Sequence, residues 1–494
     1  MSKLQIGRGA AFLYIENIST MIYGYAFWYI LSKITTPDVI GISSSLISLA
    51  VIFTSIASIG IPIGSQRFLG KMFIERKFED ISLFVRTSLL ITTIGIFSCF
   101  ALILIAKDWL FDTYPFNLFA ITLILIASST ISILFRYVII ASLETKKLLV
   151  ISVLSSGVKL FLTIILVFTS ADELGVMIGF TIAPTLTAIL FALNVKSLIK
   201  KVLITSSFKF LETFKMLLRA SVAAWIPSLI DTIGGQIGTV TVLAIQGSSQ
   251  AGFYFLAFQI SIGISAVIWA LESVTYPVLS AMSKGRNLFL WRVIKIGLLI
   301  VLPLSSSAIF YSTDIMQIFG YDYAEASLPL QLLLISILPI AVSAGISILM
   351  YSYGRYREVL IIGLATSVPR IILYFIFIPW YSITGAAFGF TIGSIIGFIV
   401  SIVISKRYGK IIFWKQLALI FFIPSLFGFL LSNLNIHFIP SILLSVILSY
   451  LLLLKLNILN KNDVTDSLAV LPGNLSTQLS GIINKIGSKI NKDY

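Results

Sequence analysis

Apolar runs of helical length recur along the whole chain, separated by short polar or charged intervals. A helix that crosses a bilayer needs about 20 mainly apolar residues, so these runs can be read as spans. They fall at 10–32, 40–64, 82–106, 117–140, 148–169, 175–196, 217–246, 251–276, 289–312, 328–350, 358–379, 384–404, 414–432 and 437–455. The first holds Glu16, Asn17 and several tyrosines and is too long for a cleaved signal segment, so it reads as a mature helix. The pattern predicts an all-α polytopic membrane protein of about 14 transmembrane helices.

Composition agrees. Of 494 residues, 58% are hydrophobic and 11% charged, against roughly 25% charged in a soluble domain. The residues for a polar shell are missing, which excludes a soluble enzyme and a nucleic-acid-binding protein. A single cysteine, Cys99, and a single histidine, His437, exclude an internal disulfide and make a Cys- or His-based metal site untenable.

The charges orient the spans. With the N-terminus placed in the cytoplasm, inner segments collect 31 of the 35 Lys and Arg residues, while outer loops hold Lys33 and Lys107 alone. Of the 20 acids, 9 fall inside, 8 outside and 3 within spans, giving a net +22 inside and −6 outside. This is the positive-inside bias of a plasma-membrane protein with both termini cytoplasmic. The net charge of +15 is thus mostly topology.

The two halves of the chain resemble each other. GVMIGFTI at 175–182 matches GAAFGFTI at 385–392, an offset of 210. At 211, Arg8 pairs with Arg219, Gly41 with Gly252 and Lys159 with Arg370. Each repeat has six spans, an even number, so the repeats are parallel, as in alternating-access transporters. The expected organisation is an N-terminal six-helix lobe (1–198), an interfacial linker helix (199–216), a C-terminal six-helix lobe (217–410), two extra helices (411–456) and an amphipathic cytoplasmic tail (457–494) on membrane lipids.

Ionisable groups at membrane depth cost about 2.5–3.5 kcal/mol each on insertion scales, so those that remain mark candidate chemistry. They are Glu16, Lys159, Asp231, Glu272 and Arg370. Four of them lie on stripes of small or polar residues, such as Ser152, Ser155, Ser156, Lys159 and Thr163 in span 5. Lys159 and Arg370 are predicted to line a cavity and attract an anionic group such as a phosphate. Glu16 and Asp231 are expected to balance charge or carry a coupling sodium ion or proton; Arg67, Arg136 and Glu272 lie near the expected inner mouth. Pro184, Pro227 and Pro369 are expected to bend or hinge their helices. No nucleotide-binding lysine loop, catalytic His/Cys arrangement or TVGYG filter is present, and no outer loop is long enough for a glycan-joining enzyme.

Three segments carry a family resemblance: the opening GRGAAFLYIENISTMIYGYAFWYILSKITTPDVIGISSSL, then SIGIPIGSQRFLGK at Ser58–Lys71, then LLRASVAAWIPSLID with QAGFYFLAFQ and YPVLSAMSKG. Over roughly residues 5–405 the chain resembles the polysaccharide (Wzx-like) flippases of the multidrug/oligosaccharidyl-lipid/polysaccharide exporter superfamily. The resemblance implies two six-helix lobes around a V-shaped central cavity, and a lipid-linked oligosaccharide on a polyprenyl phosphate or diphosphate carrier, flipped to the outer leaflet. It further implies a monomer without a resident cofactor, working beside glycosyltransferases. Spans 13 and 14 are similar to the extra pair of the peptidoglycan-precursor branch, whose first helix carries arginines where this chain has Glu16. Two rivals follow: a cation-coupled multidrug exporter of the same superfamily, and a membrane oligosaccharide ligase or polymerase.

Overall fold

The structure, a computed structural model, describes residues 3–75, 77–107, 114–169, 172–199, 207–409, 411–434 and 436–458. Among them there is no strand. The predicted tail from 459 onward, and residues 200–206 of the predicted linker, lie outside the described residues. Twelve helical segments are long and apolar enough to cross a membrane. One, Tyr356–Tyr408, is two helices, because Ser382 breaks it with φ of 50°. The N-terminal helix α1 (Lys3–Ile34), with Glu16 and Asn17 in its middle, covers the first predicted span but is not one of the twelve.

The described residues form two compact units, Met1–Gly252 and Phe253–Tyr494. The first contains α1, α2 (Pro37–Ser58), α3 (Ile61–Ile74), α4 (Phe78–Ile105), α5 (Phe116–Ala141), α6 (Thr145–Phe168), α7 (Asp172–Ile199) and α8 (Ser207–Gln246). The boundary falls beyond the expected lobe limit at 217 because α8 packs on α2, α3 and α4. A buried cluster including Phe84, Val85, Leu134, Val138, Phe191 and Leu217 ties α8 to α4, α5 and α7. The expected interfacial helix is no separate element: its described residues, from Ser207, run without interruption into α8.

The second unit contains the rest of α9 (Ser248–Ala281), then α10 (Arg286–Phe310), α11 (Ser312–Gln317), α12 (Ser327–Ile335), α13 (Ile337–Ser352), α14 (Tyr356–Ser405, broken at Ser382), α15 (Trp414–Ser432) and α16 (Phe438–Lys455). The extra pair is docked on α10 by polar contacts. Ser307 and Ser445 share a hydrogen bond of 2.7 Å, the Tyr450 hydroxyl donates to the Leu299 carbonyl at 2.8 Å, and the Trp291 indole donates to Gln416 at 2.9 Å. Such bonds are how helices are held together where lipid offers no hydrophobic drive.

The three prolines expected to bend or hinge their helices do not interrupt them. Helices run on through Pro184, Pro227 and Pro369. The break that divides predicted span 2 is at Ile59 and Gly60, with φ of 48° and 66°. It frees the Ser55 carbonyl, which accepts a hydrogen bond from the Trp225 indole at 2.7 Å. A side chain at Gly60 would meet Trp225 itself, so glycine serves both the left-handed turn and the close approach.

The internal repeat is visible in contacts within each unit. Lys159 lies over the Phe180 ring at 4.7 Å, and Arg370 over the Phe390 ring at 3.9 Å. Thr163 packs where Gly179 leaves room, as Tyr374 does at Gly389. All four pairs keep the offsets of 210 or 211 found in the sequence. The repeat also meets itself: a methyl group on Gly41 would overlap the Ser248 carbonyl, and one on Gly252 would overlap the Pro37 carbonyl. Asp38 accepts hydrogen bonds from the hydroxyls of Ser248 and Ser249 at this crossing.

Candidate functional site

Four expected site residues fall in the first unit with their side chains described: Glu16 on α1, Arg136 on α5, Lys159 on α6 and Asp231 on α8. They do not form one cluster. Glu16 is 1% exposed and takes a bidentate ion pair from Arg136, one arm at 2.7 Å. Asn17 is a third acceptor for the same guanidinium at 3.4 Å. Arg136, five residues before the end of α5, is therefore the partner of Glu16. A buried carboxylate demands such a partner, and the planar fork of arginine meets both of its oxygens.

Lys159 is held differently. Its ammonium sits 4.5 Å from the centre of the Phe27 ring and 4.7 Å from that of Phe180. The two rings meet edge to face, with centroids 5.8 Å apart, and form a wedge between α1 and α7. Aromatic faces attract a cation without neutralising it. No carboxylate among the described residues pairs with Lys159, and its side chain is half-buried. Asp231 is exposed and has no hydrogen-bond or ion-pair partner among the described residues.

Arg370, the repeat partner of Lys159, is 4% exposed. Its Nε donates to the Phe390 carbonyl at 3.3 Å and one terminal nitrogen to the Ser394 hydroxyl at 2.7 Å. Phe390 also supplies the ring beneath the guanidinium. The second half of α14 thus folds back on the first through this side chain, and the geometry makes Arg370 an internal tie of its unit. Arg67 lies on α3 and Glu272 on α9; their side chains lie outside the described residues. Lys295, within the predicted span 289–312, lies nine residues inside α10 and is 4% exposed.

Beside the Lys159 wedge lies a cavity of about 360 Å³ between α2, α5, α7 and α8. Phe180 forms part of its wall, with Tyr137, Ser129, Trp225, Ser228 and Thr232 among the others. Sequence reading missed Phe180 and Trp225. The signals were present: Phe180 belongs to the repeated GFTI segment, and Trp225 lies three residues before Ser228 on the small, polar stripe of span 7.

Sequence comparison finds no matching family model and no similar curated protein. Structural comparison is informative. An inward-facing multidrug resistance MATE family transporter of the MOP superfamily superposes with a TM-score of 0.63 at 16% identity, over 80% of this chain and 94% of that one. The lipid II flippase MurJ in an inward closed conformation gives 0.62 at 17% identity, over 89% and 98%. A MOP superfamily transporter from Pyrococcus furiosus, described by the reversed polarity of its binding pocket, gives 0.54 at 16%, over 82% and 94%. The chain has the polytopic fold shared by these transporters.

Proposed function

We propose that the protein flips a lipid-linked oligosaccharide from the cytoplasmic to the outer leaflet by alternating access, with Lys159 holding its phosphate or an acidic sugar. The observation that carries this reading is the state of the two deep charges in the first unit. The acid, Glu16, is neutralised by Arg136, whereas Lys159 rests on aromatic faces with no carboxylate partner among the described residues. A site built this way favours an anion. The fold shared with a lipid II flippase supports a lipid-linked substrate.

Asp231 favours the rival, a cation-coupled drug exporter, because an exposed carboxylate without a partner could hold a cation. On the flippase reading Asp231 takes the coupling proton or sodium ion. A vesicle or cell assay of lipid-linked sugar exposure separates them. Lys159→Ala at normal expression is expected to abolish exposure and leave drug resistance unchanged. Intact exposure in that variant would remove the anion site and the reading with it.

A further inference from the structure

The cavity between α2, α5, α7 and α8 has the chemistry of a carbohydrate pocket. Its volume of about 360 Å³ lies in the range of small-molecule sites, roughly 300–1,000 Å³. Its walls are mainly apolar, with Ile47, Ala50 and Val51 from α2, and polar groups enter along two stripes: Ser228 and Thr232 beside Trp225 on α8, and Ser129 and Tyr137 on α5. Trp225 is oriented by the bond from its indole to the Ser55 carbonyl, so its ring is fixed in place. The hydroxyls of Ser129, Tyr137 and Ser228 have no hydrogen-bond partner among the described residues, although Ser and Thr hydroxyls elsewhere in these helices regularly bond to the carbonyl three or four residues before them. Fixed aromatic area beside unengaged hydroxyls matches a sugar ring, whose axial C–H groups are apolar and whose equatorial hydroxyls both donate and accept.

The charge pattern decides between ligand classes. None of the described residues lining the cavity is charged. Lys159 stands on the Phe180 ring, which is part of the wall, so a fixed positive charge is close by. A lipophilic cation would find aromatic walls but no carboxylate in them, and a like charge next door. We infer that this cavity receives an uncharged sugar residue of the transported glycan, with the ring against Trp225 and Lys159 left for the adjacent anionic group. The inference rests on the flippase reading and adds the identity of the neighbouring subsite.

The test uses the full chain in lipid nanodiscs, titrated by saturation-transfer NMR with methyl glycosides of uncharged hexoses and N-acetylhexosamines, and with tetraphenylphosphonium as the cationic probe. At least one glycoside is expected to bind saturably, and Ser228→Leu, which fills the cavity, to weaken it about tenfold or more. Trp225→Ala should do the same and Trp225→Phe less. Because Trp225 also caps a helix, Ser228→Leu decides the matter if Trp225→Ala does not fold. Absence of binding by every glycoside, binding unchanged in Ser228→Leu, or tetraphenylphosphonium held through Trp225 and Ser228 would each overturn the inference. Lys159→Ala, titrated in parallel, should retain glycoside binding, so failure of the sugar pocket and failure of the anion site are read separately.

Discussion

Lys159 and Arg370 occupy the same place in the two repeats and do opposite things. Both lie over the phenylalanine of a GFTI segment. Arg370 adds two hydrogen bonds, to Phe390 and Ser394, and is buried. Lys159 adds a second aromatic face and is only half-buried, beside a cavity. Five donors in a rigid fork can be satisfied within one helical hairpin, while a single ammonium leaves capacity for a ligand. Repeated architecture therefore does not imply repeated contacts: one unit ties its cation into a helical hairpin, and the other leaves its cation on aromatic faces with no carboxylate partner among the described residues.

The comparison can be broken by stability and transport measurements on the same variants. The largest loss of stability is expected for Arg136→Ala, which strands the buried Glu16 and should cost about 3–5 kcal/mol, read as a fall in thermal midpoint in detergent. Arg370→Ala should cost about 2–3 kcal/mol through its lost charged hydrogen bonds, and Arg370→Lys should not restore them, because an ammonium lacks the fork. Gly41→Ala should cost about 1–3 kcal/mol by overpacking against the Ser248 carbonyl. Lys159→Ala should be mildest, at about 0.5–1 kcal/mol, yet should remove the most transport. If Lys159→Ala proved as destabilising as Arg370→Ala, both cations would be ties and the contrast would vanish.

Much of this was legible beforehand. Hydropathy delimits the spans, and the predicted gap between 379 and 384 contains the break at Ser382. The offset of 210–211 anticipates the equivalent contacts of Phe180 and Phe390. The contrast between the two cations was not legible. In sequence, Lys159 and Arg370 both sit on stripes of small and polar residues. What separates them is the neighbouring segment's approach, by a carbonyl 20 residues away for Arg370 and by the Phe27 ring of α1 for Lys159. Glu16 and Arg136 are 120 residues apart, so no local pattern could pair them. The turn at Ile59–Gly60 escaped because the apolar run continues through it: hydropathy measures how apolar a segment is, while a turn depends on φ.

The crossing of Gly41 and Gly252 couples two positions that the repeat makes equivalent. Each segment there is the other's counterpart at an offset of 211 residues. Neither glycine can acquire a side chain without striking the backbone of its duplicate. A side chain at either position therefore has to be absorbed by a shift of the other segment's backbone.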